Sequence, residues 1–484
     1  MSKSNISIFT RKNQSLVSLY EEAGDSKKVA CVALDYAKKT HTALICDGAG
    51  RRLKGSFSVA NNPEGVAFLF DQVQKITRKH HLHSSHIFFG GEDCGSYSLN
   101  FIHAIRQKGF LVVGVDPKQA KNQRQNFQAS TDKLDLLGIA KLLTDQVGSS
   151  KTASESKERT LRCVVRHRAN MVVTTTALSN RIHSLVDQLF PGFLDETKSG
   201  IPPFSDTSLW LMEERFSPNQ IQSRNHADLL KQAKLKGLPS PEQRIAQLKA
   251  YAGMVLHPAP SLVGILQSSL RHDVHLYRAL QRCIQQADKE SAVLLAQTPG
   301  AMLTTIRGTG ITLAAGVASE IGDPFTQPSL RRLTSSAGII PRVKQTGGPT
   351  GRTFYGSVSK RSNHILKNFI VQCGSHQGLH GADDLKEDHQ RRKANSQHAD
   401  YGVARRYLRI AMRLMKSHQA YLPTRLLSQP ESGALATYYL ESWPRLRDIW
   451  KKADALKMAF APENPLGQWR QCIQELYQIQ LPLL

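Results

Sequence analysis

A chain of 484 residues has room for roughly two to four domains, each with a core of its own. Apolar residues make up 40% and charged residues 21%, which excludes a disordered polyampholyte. The 64 Lys and Arg against 39 Asp and Glu leave a formal charge of +25, an excess that points first to a nucleic-acid partner rather than a merely basic surface.

Seven scattered cysteines without a CxxC pair suggest neither a disulfide framework nor a zinc site, so a reducing cytoplasm is expected. No run approaches the roughly 18 apolar residues of a membrane span, and Met1–Phe9 has no signal-peptide core. The expected location is the bacterial cytoplasm, associated with the nucleoid, with no membrane partner.

Residues 1–28 are polar and read as a flexible arm. Between 29 and 150, short apolar runs at 29–36, 41–46, 52–59, 86–90 and 110–115 predict strands. Helical spacing fills 62–79, 97–108 and 132–145, with Asn62 as cap and Pro63 at the first position of the first helix. Asp47-Gly48 reads as a hairpin turn and Asp116-Pro117 as a turn. Three strands, a helix, then alternating strand and helix is the order of an RNase H-like α/β domain with a partly parallel sheet.

Residues 151–298 are largely helical, with breaks at 191–203 and 237–241. Leu178, Ile182, Leu185 and Leu189 recur at helical spacing, and Leu248, Val255, Leu262, Leu266 and Leu270 do so more loosely. Such stripes fit an intramolecular core or an oligomerising coiled coil equally. Residues 299–422 form a C-terminal, mainly helical domain that is Gly- and Thr-rich at its start and ends in a basic helix at 402–418. Within it, the strongly polar stretch 376–400 predicts an exposed connection. Residues 423–484 read as a helical extension carrying Trp443, Trp450 and Trp469.

Three constellations carry chemistry. Asp35 ends the apolar run from Val29, Glu92 follows the run from His86, and Asp132 and Asp135 open a helix one turn apart on one face. Four carboxylates in that order are the ligand set that hard divalent cations need for phosphodiester chemistry, Mg²⁺ first and Mn²⁺ as a substitute. Asp47, Asp93 and Asp116 also lie near strand ends and compete for the role. Next, Ile306-Arg307-Gly308-Thr309-Gly310 between helical segments resembles the loop of a helix-hairpin-helix module, whose glycines let backbone N–H groups approach phosphate. Finally, Thr346-Gly347-Gly348 lies among Arg342, Lys344, Arg352, Lys360 and Arg361, an anion-binding loop by chemistry. Thr346 fits two roles, a nucleophile on phosphorus or a turn residue that binds phosphate.

Several of these motifs resemble the DEDD-type insertion-sequence transposases, the "one-ten" family that includes the pilin-gene invertases. Ala33-Leu-Asp35-Tyr-Ala-Lys-Lys-Thr-His41 resembles the family's opening strand, and Gly91-Glu92-Asp-Cys-Gly95-Ser-Tyr97 its Glu-Ala-Thr-Gly-x-Tyr motif. Thr131-Asp132-Lys-Leu-Asp135 resembles its Thr-Asp-x-x-Asp, Pro299 through Asn363 its C-terminal transposase domain, and 403–422 its closing basic helix.

The resemblance implies a RuvC-like domain in which Asp35, Glu92, Asp132 and Asp135 bind Mg²⁺. It also implies a C-terminal serine that links covalently to DNA, assembly into dimers and tetramers, and, as in some members, an element-encoded guide RNA. DNA partners would be the element ends and the target site. Two departures stand out: the expected serine position is Thr346, with Ser335, Ser336 and Ser357 as substitutes, and residues 423–484 extend past the family pattern. A transposase is the leading expectation. A site-specific invertase shares every motif, a Holliday-junction nuclease would not need the 299–374 module, and a catalytically inactive nucleic-acid-binding protein is the alternative of another class.

Overall fold

Five apolar runs in the first third of the chain become the strands of one sheet. They are β1 (Ala30–Asp35), β2 (Thr40–Asp47), β3 (Arg52–Ala60), β4 (Ile87–Glu92) and β5 (Leu111–Val115), in the order β3-β2-β1-β4-β5. β2 is antiparallel to β1 and β3, whereas β4 runs parallel to β1 and β5. The computed structural model describes residues 12–92, 97–125, 132–150, 156–214, 216–326, 329–345, 353–358, 362–381, 383–395, 399–428 and 432–482. The chain divides into two units, residues 1–155 and 156–484.

In the first unit both faces of the sheet are covered. Helices α1 (Gln14–Ala23), α4 (Pro117–Gln125) and α5 (Asp132–Thr144) lie on one face and α2 (Pro63–Lys79) and α3 (Leu99–Gln107) on the other. β1 alternates accordingly: Cys31 and Ala33 pack in the core of α1 and α5, while Ala30, Val32 and Leu34 pack in that of α2 and α3. As the spacing predicts, Asn62 caps α2 by accepting from the Gly65 N–H at 2.8 Å, with Pro63 at its first position.

Two polar stretches fold where the sequence reading has none. The N-terminal arm contains α1, whose Leu16 and Leu19 are buried. Asn13 anchors it by capping Leu16 and by donating to the Gly148 carbonyl. Asp116-Pro117 starts α4 rather than a plain turn, since Asp116 Oδ1 accepts from the Lys118 and Gln119 N–H groups at 2.8 and 3.2 Å.

The second unit begins with α6 (Lys157–Leu189) and returns along α12 (Pro260–Ala296). The two run antiparallel, because Arg168 pairs with Asp288 while Arg181 pairs with Asp273. Between them, α7 (Glu196–Ser199), α8 (Asp206–Glu213), α9 (Pro218–Ser223), α10 (His226–Leu235) and α11 (Pro241–Ala252) close a core. It contains Leu178, Ile182, Leu189, Leu248 and Leu270, so much of the leucine stripe is used within the chain.

A 3₁₀ segment (Pro299–Thr305) then leads to α13 (Ile311–Ile321), α14 (Leu330–Ser336), and the antiparallel pair β6 (Pro341–Gln345) and β7 (Thr353–Val358). The chain continues as α15 (His364–His380), α16 (Asp383–Asn395), α17 (Ala399–Ser417), α18 (Thr424–Ser428), α19 (Ser432–Lys452), α20 (Leu456–Ala459) and α21 (Pro465–Tyr477).

Residues 383–395 are helical, not the exposed connection their polarity suggests. Leu385 is buried, and the buried Asp388 carboxylate pairs with Arg391, Arg392 and Arg406. Burial works against ionisation of Asp388, but those guanidinium groups prevail and hold its pKa below the usual carboxylate value.

The extension from 423 onward shares one core with residues 301–321 and 366–415. Trp443 and Trp450 are among the largest fully buried side chains. Trp450 Nε1 donates to Thr304 Oγ1 at 3.1 Å, and Arg445 Nη2 donates to the Thr304 and Thr305 carbonyls at 3.1 and 3.0 Å. Trp450→Ala should therefore cost about 3–5 kcal/mol, read as a lower denaturation midpoint of the second unit in the full chain. An unchanged midpoint would mean that the extension folds apart from that core.

Candidate active site

The first carboxylate pair is placed by strand register. Leu34 of β1 stands opposite Gly91 of β4 in a parallel pairing, so Asp35 and Glu92 follow together at the carboxyl ends of two central, adjacent strands. Alternation puts Asp35 on the face of Cys31 and Ala33, and Glu92 on the face of Phe88. That is the face α5 covers with Leu136, Ile139 and Leu143. Asp132 opens α5 four residues before Leu136, and Asp135 lies four before Ile139. Asp35, Glu92 and Asp135 are each half-buried.

The glycines before Glu92 have a steric reason. A Cβ at Gly90 would collide with the Leu143 side chain of α5 and the Val113 carbonyl, and one at Gly91 with the Tyr36 ring and the Leu34 carbonyl. Gly90-Gly91 thus lets α5 and Tyr36 close onto β4 immediately before the acid. The donor chemistry of the set, carboxylate oxygens from two strand ends and a helix start, suits a hard divalent ion. Among the described residues, however, no group of three or more His, Cys, Asp or Glu side chains is gathered to hold a metal.

The turn after Asp35 is clamped by His41, a residue the sequence argument passes over as anything but part of a motif. Its Nδ1 accepts the Ala37 N–H at 3.1 Å, and its buried ring packs edge-on against Phe101 and Tyr36, with centroids 4.4 and 5.4 Å away. Burial lowers its pKa. By accepting the Ala37 N–H, His41 holds the turn after Asp35 in place.

Two of the competing acids are structural. Asp47 is buried and accepts from the Ala49 and Arg51 N–H groups in the β2–β3 turn, and Asp116 caps α4. Asp93 lies outside the described residues.

In the second unit, Gly308 turns with φ of +84° and Gly310 caps α13. The helical segment before this loop is the seven-residue 3₁₀ turn, so the flanks are not two α-helices as the hairpin reading expects. Arg307 is exposed at the loop. Arg342 and Lys344 lie in β6, and Ser357 in β7. Thr346, Gly347, Gly348, Arg352, Lys360 and Arg361 lie outside the described residues. Ser335 and Ser336 end α14, where the Ser336 hydroxyl donates to the Leu333 carbonyl at 2.9 Å.

A buried carboxylate secures the segment after this basic stretch. Glu320 of α13 accepts from both the Nε and Nη2 of Arg166 at 2.7 and 2.9 Å, and from Asn363 Nδ2 at 2.6 Å. Asn363 caps α15, and its backbone N–H donates to the Ser336 carbonyl at 2.8 Å. Glu320 thus ties α6 to the point where β7 leads into α15. Its signal was legible as the one charge in the apolar run Ile311–Ile321.

Comparison with known proteins agrees with the motifs. A family model described as a transposase, of the IS110 DEDD type, matches residues 32–191, and one described as the transposase IS116/IS110/IS902 family matches 300–389. The transposase for insertion sequence element IS1328 of Yersinia enterocolitica is 34% identical over 24% of this chain. An insertion element IS110 uncharacterized 43.6 kDa protein of Streptomyces coelicolor is 25% identical over 46% of it. These matches span 32% and 54% of the relatives' own lengths.

The Glu320 network has a pH signature. Burial raises the carboxyl's pKa, but the hydrogen bonds from Arg166 and Asn363 and the charges of Arg166 and Arg162 outweigh it, and the net shift is downward. A depressed carboxyl stabilises the fold fully above its unfolded pKa and loses that contribution as pH falls through the folded one. Glu320→Gln should therefore lower stability near pH 7 yet lose less than the parent between about pH 5 and pH 3. Denaturant melts across that range check it, and parallel curves would contradict it.

Proposed function

Because the chain belongs to the IS116/IS110/IS902 family of transposases, we propose that it is the recombinase of an insertion sequence, cutting and rejoining DNA at element ends and target. The observation that carries this reading is the register of β1 and β4, which puts Asp35 and Glu92 side by side on the face of α5, the helix that opens with Asp132 and Asp135. Asp35, Glu92, Asp132 and Asp135 would hold Mg²⁺, for which Mn²⁺ can substitute. Such an ion neutralises charge that builds on a phosphate under attack.

The nucleophile in this reading is Thr346. Its Oγ forms a bond to the scissile phosphorus and gives up its proton, while the DNA oxygen that leaves phosphorus takes one up. The phosphodiester is conserved as an enzyme–DNA link, which a second DNA hydroxyl reverses by expelling the threonine oxygen. No water and no external energy source enter the balance. Cations from the 342–361 stretch would stabilise the charged phosphorus centre. Two or four copies acting together, and a guide RNA that chooses the DNA, belong to the same proposal through the family.

Asp35→Asn or Asp132→Asn should abolish strand cleavage while leaving DNA binding in place, and EDTA should do the same to the parent protein. Full cleavage by both variants in excess EDTA would remove the metal assignment. Trapping on a nicked substrate with peptide mass spectrometry should find DNA on Thr346. An adduct on Ser335, Ser336 or Ser357 would move the nucleophile, and an active Thr346→Ala variant would end its candidacy.

A further inference from the structure

A cavity of about 410 Å³ opens where the Gly308–Gly310 loop meets the end of α15 and the middle of α19. Its wall carries Arg307, His380, Lys386 and Arg445, and among the described residues no acidic side chain lines it. Concentrated positive charge without a carboxylate is unfavourable until an anion arrives. Burial lowers the pKa of Arg445, the tyrosine oxygen of Tyr438 opposes that, and the like charge of Arg307 adds to the lowering, so the two guanidinium groups sense each other.

The loop side of the cavity is backbone. Gly308 is pressed onto α15, where a Cβ would meet the His380 carbonyl oxygen at 3.0 Å, and Gln377 Nε2 holds the Arg307 carbonyl at 3.0 Å. A Cβ at Gly310 would meet nothing within 4 Å, leaving clear approach to the start of α13. On the far side Arg445 is fixed from behind by its bonds to the Thr304 and Thr305 carbonyls. Its place is therefore set before any ligand binds.

We propose that this cavity is a phosphate subsite that takes one backbone phosphate of a DNA strand, and that α19, which lies outside both segments matched by the family models, supplies one of its cations. The proposal rests on the DNA-binding reading above and adds to it the place and the chain segment that grip the backbone. It also gives the extension a role in binding rather than in folding alone.

The test is the salt dependence of binding by the full chain to a fluorescent DNA duplex, with the parent, Arg307→Ala, Lys386→Ala, the double variant and Arg445→Gln. A phosphate contact contributes about 0.9 to the slope of log affinity against log salt. If these cations share one phosphate, each single variant should lower the slope by up to about 1, and the double variant should lower it no further. Lys451→Ala on the same helix, whose side chain is not part of the cavity wall, should leave the slope unchanged. Additive losses would overturn a shared phosphate, and parental slopes in all four cavity variants would overturn the subsite.

Competition by inorganic phosphate and by a nucleoside triphosphate separates the sources. Variants that keep the parental DNA slope but lose nucleotide binding would assign the cavity to a free nucleotide and overturn the strand assignment. A parent that binds and cleaves DNA while the variants match it removes the subsite alone. A parent that shows no salt-dependent DNA binding removes the functional reading as well.

Discussion

Successive side chains of a strand point to opposite faces of its sheet, and that two-residue period decides where the acids of the N-terminal unit stand. Cys31 and Ala33 are buried under α1 and α5, so Asp35 inherits their face. β4 obeys the same period in parallel register, and Phe88 hands its face to Glu92. A slip of one residue in either strand would send its carboxylate under α3, away from the helix that carries the other two. The apolar alternation of each strand therefore aims its terminal acid.

The second unit depends on a different device, buried charge. Glu320 and Asp388 are each nearly inaccessible, and each is matched by a guanidinium group from another helix, Arg166 for Glu320 and Arg406 for Asp388, the latter joined by Arg391 and Arg392 of its own helix. An ion pair of this kind adds little net stability compared with an apolar replacement, but it is strongly selective, because a misplaced partner leaves a charge stranded. Arg166 from α6 and Asn363 from the start of α15 meet at one carboxylate, so the helix that enters the unit and the helix that follows the basic hairpin take their positions from the same group. In a chain with a +25 excess, these scarce acids act as anchors.

The strands and the apolar helices of the first unit were legible because period and composition agree there. Much of what was illegible has a physical cause. α1 and α16 are polar over half or more of their length and lean on distant partners, Asn13 tied to Gly148 and Asp388 paired with Arg406 as well as with Arg391 and Arg392 of its own helix, whereas the Asp116 cap on Lys118 and Gln119 is local. Local pattern carries no trace of a partner far away in sequence. At the site, the order of Asp35, Glu92, Asp132 and Asp135 was readable because each terminates or opens an apolar element. His41 was not, since a histidine that accepts a backbone N–H looks like any other until the turn is folded. Arg445 stayed hidden for a similar reason: its neighbours at the cavity come from residues 307–310 and 379–386.

The bond from Trp450 to Thr304 joins residues 146 positions apart. During synthesis, the 3₁₀ turn at 299–305 leaves the ribosome long before the tryptophan that covers it. The first unit can close as soon as α5 and the segment after it have emerged, because among the described residues its core clusters end at Val147. The second must wait until Trp443, Trp450 and Ile473 arrive. A nascent chain thus holds a finished first unit while the second is still incomplete for much of its translation, and a stalled or prematurely terminated product is left with exposed apolar surface that quality-control proteases recognise.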